Sequence, residues 1–133
     1  SDALPLYQLA AEIRPKEPLL RLELGQVQIE TEQDQYLKPA IANLEFATRA
    51  ESNDPFGWHL LAIAYGRDNQ LGMSALAQAE EAQAKGNRKE ARLQARKALK
   101  GLKDGSPAWL RASDIVSSTG GPVEEGSDQG SMP

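Results

Sequence analysis

In the stretch Pro55-Phe56-Gly57-Trp58-His59-Leu60-Leu61-Ala62-Ile63-Ala64-Tyr65-Gly66-Arg67, the residues Trp58, Leu61, Ala62 and Tyr65 stand at offsets of 0, 3, 4 and 7. That spacing lines side chains along one face of an α-helix. Ser52-Asn53-Asp54 before it offers an N-cap, and Pro55 suits the first helical position, where its missing N–H has no partner to lose. Asp68-Asn69-Gln70 then turns the chain. Two aromatic rings beside one small residue describe a helix that buries a single face, so the fold depends on what its neighbours are.

Toward the N-terminus a helix is expected from about Tyr36 to Glu51, with Ile41, Leu44, Ala47 and Thr48 on one side and Pro39 tolerable only in the first turn. Before it, a helix begins at Pro18, turns Leu20, Leu24, Val27 and Ile29 inward and ends at the polar Thr31 to Gln35. The first runs from about Leu4 to Ile13 and stops at Arg14-Pro15. Toward the C-terminus an Ala-rich helix from about Leu71 to Lys85 ends at Gly86-Asn87, residues that tolerate a left-handed stop. A basic helix from Arg88 to Lys103 follows, and Ser106-Pro107 opens a last one to about Val116. The expectation is an all-α domain of about seven helices over residues 1–116. Residues 117–133, rich in Gly, Ser and acid, read as a disordered tail that cannot bury enough apolar surface to order itself.

Composition agrees. Of 133 residues 40% are hydrophobic and 5% aromatic, and 19 Ala and 17 Leu face only 11 Val, Ile and Thr together, a balance that favours helix over strand. No apolar run approaches the roughly 20 residues that cross a bilayer, and the opening SDALPLYQLAAE has no basic start followed by an apolar stretch, so neither a membrane span nor a signal peptide is expected in these residues. Zero Cys and one His leave almost no material for a metal centre, a thiol nucleophile or a His-based triad. Glu80-Glu81 and Glu124-Glu125 are adjacent pairs; on a helix such neighbours diverge by about 100°, and they read as solvated charge. No phosphate loop, GxSxG elbow or calcium loop occurs. The chain is expected to carry no chemistry and no cofactor of its own.

Internal repetition separates a bundle from a solenoid. Ala40, Leu44 and Ala47 share their spacing with Ala75, Ala79 and Ala82, with Ala91, Ala95 and Ala98, and with Ala3, Tyr7 and Ala10. Together with the Trp58, Leu61, Ala62, Tyr65 set and with Leu24-Gly25, this spacing resembles the 34-residue tetratricopeptide pattern. The resemblance implies an α-α superhelix in which small residues let paired helices approach and each pair buries its apolar stripe only against stacked neighbours. The basic helix leaves the register, because its Ala triplet follows the preceding one after only 16 residues, so whether it acts as a first or second helix stays open. The same register puts Leu22, Gln26, Ile29, His59, Ile63 and Arg67 on the concave groove, where apolar residues among polar ones would accept a peptide. Burial of Leu22 and Ile63 against a neighbouring helix is the alternative, as is a partly exposed His59 with no role.

Charge is uneven. Residues 1–84 carry 6 bases and 13 acids, net −7, whereas residues 85–103 carry 8 bases and 1 acid, net +7. Arg88, Arg92, Arg96 and Lys100 recur every four residues and define a basic surface opposite Ala91, Ala95, Ala98 and Leu99. Three readings remain: a solvated helix face, a dock for an acidic partner or acidic part of a larger protein, and an RNA-binding helical repeat. The last lacks interleaved aromatic residues for stacking, so nucleic acid is not the expected partner.

At GSPAWLRASDI (Gly105 to Ile115), preceded by MSALAQAEEAQAKGNRKEARLQARKALK (Met73 to Lys100), the chain resembles the C-terminal tetratricopeptide region of bacterial periplasmic zinc metalloproteases of the BepA type, over about residues 1–116. The resemblance implies a periplasmic protein of quality control whose repeats recruit protein clients or outer-membrane assembly partners. It also implies an upstream HExxH protease domain, in which any zinc would sit. His59 stands in GWHLLA with no second His, so no zinc ligand carries over and this chain is expected not to be an enzyme. A regulatory domain that packs on its own protease domain is the alternative.

Overall fold

The computed structural model describes residues 3–120. Among them seven α-helices and no strand follow in order: α1 (Ala3–Ile13), α2 (Pro18–Glu30), α3 (Leu37–Ala50), α4 (Pro55–Arg67), α5 (Leu71–Ala84), α6 (Arg88–Gly101) and α7 (Pro107–Thr119). A single 3-10 turn, Asp34–Tyr36, leads into α3, which places Pro39 in the first turn of that helix. Each helix packs on the next, and α2 also meets α4 and α5 meets α7, so the chain stacks consecutively in a solenoid-like arrangement.

Local chemistry sets the boundaries. Three helices start with a capping oxygen followed by Pro: the Glu17 carboxylate accepts from Leu19 N at 3.4 Å, Asp54 from Phe56 N at 3.0 Å, and Ser106 Oγ from Trp109 N at 3.2 Å. Each satisfies one N–H that the helix leaves without an internal partner. Between α5 and α6 the chain reverses through Gly86 at φ +76°, a left-handed conformation that costs glycine little, and Asn87 Oδ1 accepts from Glu90 N.

Two cores result. The first joins α2, α3 and α4 through Ile41, Leu44, Leu61, Ala62 and Tyr65, with Trp58 half-buried against it and its Nε1 donating to Ser52 O at 2.8 Å. Gly25 is the hole for Leu44: a Cβ on Gly25 would lie 2.8 Å from Leu44 Cγ. The second core is lined by Ala75, Ala79, Ala82, Ala91, Ala95, Ala98, Ala112 and Ile115, and fastens α5, α6 and α7. The basic helix therefore lies between α5 and α7, its alanines fully buried.

Two details differ from expectation. On α1 the buried residues are Leu4 and Ala11, with Tyr7 half-buried between them, rather than Ala3 and Ala10; the helix is turned by one residue because burying Leu4 removes more apolar surface than burying Ala3. That rotation leaves Leu6, Leu9 and Ile13 exposed. The last helix continues past Val116 to Thr119, whose side chain is buried and whose Oγ1 donates to Ile115 O at 2.6 Å, so residues 117–119 belong to the helical stack. The rest of the expected tail, residues 121–133, lies outside the described residues.

Candidate functional site

The six residues expected on a groove do not come together on one surface. Ile29 and Arg67 meet: Arg67 Nη1 donates to Ile29 O at 2.8 Å, bridging the C-terminal ends of α2 and α4. Both line a cavity of about 330 Å³ together with Gln28, Glu32, Asp34 and Leu37. Gln28 is itself buried and accepts through Oε1 from Asn43 Nδ2 at 2.9 Å, and Asn43 Oδ1 accepts from Arg21 Nε at 2.6 Å, so a polar chain crosses from α2 to α3 behind this cavity. Glu32 holds φ +57° at its rim, a conformation in which a non-glycine residue is strained.

Leu22 lies at the other end of α2. It lines a cavity of about 200 Å³ together with Leu19, Ala47 and the acidic residues Glu17, Glu51 and Asp54. Gly57 lines it too, and a Cβ there would stand 3.2 Å from Thr48 Cγ2 and 3.6 Å from Leu22 Cδ1. Leu22 and Ile63 also pack, half-buried, against the first core, which they share with the buried Ile29. His59 and Gln26 join neither cavity. His59 Nδ1 is 3.4 Å from Glu81 Oε2 on α5, a carboxylate that Lys85 Nζ approaches at 3.1 Å, while Gln26 Nε2 donates to Glu30 one turn on at 3.4 Å.

The basic surface also divides. Arg88 Nη2 donates to Ser118 O and Thr119 O at 3.4 and 3.3 Å, and a Cβ on Gly120 would lie 2.7 Å from Arg92 Cζ. Arg88 thus meets the carbonyl end of α7, where a cation faces the negative pole of the helix dipole, and Arg92 lies beside Gly120 at the same end. Arg96 and Lys100 remain exposed on α6.

Two polar clasps hold the stack between these surfaces. Tyr65 Oη donates to Glu45 Oε2 at 2.5 Å, and burial followed by the Glu45 carboxylate pushes the phenol well above its ordinary range. Arg111 donates from Nε and Nη2 to the two oxygens of Glu80 at 2.7 and 2.9 Å, a forked pair that ties α7 to α5. At the α4–α5 turn, hydrogen bonds from Lys38 and then Gln70 hold the Asp68 carboxyl below the usual carboxylate range.

Among the described residues no three His, Cys, Asp or Glu side chains come together as a metal site, and no helix is long and apolar enough to cross a membrane. The acid-lined cavity was not singled out by sequence, although its signal was present: Glu17-Pro18 and Asp54-Pro55 are the same acid-proline step, 37 residues apart, and the fold brings both to one cavity.

Fold and surfaces together define an all-helical, repeat-like scaffold of stacked helices. The chain matches no known family model, no curated protein and no solved structure.

Proposed function

We propose that this chain is a protein-interaction module, the C-terminal tetratricopeptide part of a periplasmic zinc metalloprotease, whose helical stack presents a recess to protein clients or outer-membrane assembly partners. The observation that carries this reading is the open cavity where Ile29, Leu37 and Arg67 combine apolar wall and exposed cation, with Gln28 behind them. Such a mixture suits an extended peptide, whose apolar side chains enter while its backbone and charges find polar partners. The test is titration of fluorescently labelled peptides from unfolded outer-membrane β-barrel proteins into the full chain. Saturable binding that weakens about tenfold or more with Arg67→Glu, at unchanged helicity, supports the reading, in line with a central interface residue. Binding indifferent to Arg67→Glu and to Leu37→Ser, or no binding, overturns it.

A second reading, regulation through packing on the chain's own protease domain, draws on Leu6, Leu9 and Ile13, which stand 71%, 54% and 68% exposed on one side of α1. Tight association with a separately produced protease half, lost in Leu9→Glu, would favour it.

A further inference from the structure

We propose that the acid-lined cavity beside the N-terminal ends of α2 and α4 receives the exposed Leu93 of α6 from a second copy of this chain, so that copies associate head to tail. The two surfaces are opposite in charge, and each has an apolar centre. The cavity is lined by Leu19, Leu22 and Ala47 and by the acidic residues Glu17, Glu51 and Asp54. No Lys, Arg or His of the described residues lies within ion-pairing distance of those three carboxylates. On α6 the arrangement is inverted. Leu93 is 56% exposed, and Lys89, Arg96, Lys97 and Lys100 lie three, four or seven residues from it, on the same side of the helix and all exposed. None of these four cations has an ion-pair partner among the described residues. One surface is therefore an apolar cavity lined by three carboxylates without an ion-pair partner, two of which cap their own helices, and the other an exposed leucine among four unpaired cations and one carboxylate, Glu90, three residues before it.

Within one chain the two cannot meet, because α6 is held between α5 and α7 while the cavity belongs to α2, α3 and α4. A second copy supplies the match without any further partner. Opposite fields would steer the encounter and make it depend on salt, while the leucine, filling a desolvated hole, would set the register. In a head-to-tail contact one knob enters one hole, so each pair leaves one of each unused and association continues beyond two, whereas a reciprocal two-fold pair would stop at the dimer. This inference is independent of the client-binding reading, which rests on the other cavity.

Sedimentation velocity on the full chain over a concentration series at low and high salt tests it. Mass should rise with concentration past that of a dimer at low salt and return to the monomer as salt screens the charges. Leu93→Glu and Glu51→Lys, both at exposed sites, should each weaken association about tenfold or more while helicity stays unchanged. The decisive experiment mixes the two variants. Leu93→Glu keeps its cavity and Glu51→Lys keeps its knob, so together they should form a one-to-one pair that grows no further. A chain that stays monomeric at low salt overturns the proposal. So does a mixture that fails to pair, or a salt-insensitive dimer abolished by Leu9→Glu, which would place the contact on α1 instead.

Discussion

The two cores of this stack solve the same packing problem with different material. Between α2, α3 and α4 large side chains enter holes, as Leu44 enters the space left by Gly25. Between α5, α6 and α7 alanines meet alanines, and at one crossing backbone meets backbone: a Cβ on Gly72 would lie 2.7 Å from the carbonyl carbon and oxygen of Gly101. A core of knobs and holes draws its stability from buried apolar volume and suffers when that volume is removed. A core of flush small residues draws it from close helix approach and suffers when volume is added.

The sharpest way to break this contrast is truncation in the first core. Leu44 is fully buried, and Leu44→Ala should cost about 2–5 kcal/mol of unfolding free energy in urea denaturation. Gly25→Ala then tests the pairing. In the natural sequence its new methyl collides with Leu44 and should destabilise; in the Leu44→Ala background the hole is empty, and the same change should stabilise by filling space and restricting the unfolded chain. Equal effects in both backgrounds would remove the knob-in-hole account.

Enlargement in the second core comes next. Gly72→Ala meets backbone, which cannot rotate away as a side chain does, so α5 and α6 must separate. The expected loss is about 1–3 kcal/mol despite alanine's better helix propensity, read as a lower melting temperature. A variant as stable as the parent would show that the glycine crossing is dispensable.

The smallest effect concerns the clasps. Removing the phenolic hydroxyl in Tyr65→Phe should cost about 1 kcal/mol near neutral pH, because the Glu45 carboxylate it served can still reach water. The pH dependence is more diagnostic. The folded state holds the Tyr65 proton more tightly than the unfolded state, where the ordinary value is 10.0. Above that pH the folded state binds more protons, so this group's contribution is complete below pH 10 and declines as pH rises. Comparing unfolding free energies of parent and Tyr65→Phe through the alkaline range should show the parent losing more. Parallel curves would remove Tyr65 as the source. The Arg111–Glu80 clasp of the second half should show no such decline, since a guanidinium keeps its proton throughout this range.

Much of this architecture is legible locally. Glu17-Pro18, Asp54-Pro55 and Ser106-Pro107 announce helix starts because a capping oxygen and a fixed φ act within a few residues, and the Ala triplets on α3, α5 and α6 announce buried faces because helical periodicity is local too. Where the signal is weak the reading slips: on α1, Leu4 and Ala11 outcompete Ala3 and Ala10 by one residue, and α7 runs on to Thr119, whose side chain is buried and whose hydroxyl donates to the preceding turn. The expected groove residues carried no comparable marker. Their chemistry depends on what stands across from them, and α2 alone shares its residues between two cavities at opposite ends.

Chain-local forces thus settle that this protein is helical, where its helices begin, which faces of α3, α5 and α6 turn inward and that its charge divides into an acidic part and one basic helix; capping, periodicity and composition act over a few residues and need no distant partner. Tertiary structure alone decides that Glu17, Glu51 and Asp54 line one cavity, that Arg88 and Arg92 lie at the end of α7 while Arg96 and Lys100 stay exposed, and that Gly72 touches Gly101. Those are meetings between residues far apart in the chain, and only the packing of one helix on another brings them within reach.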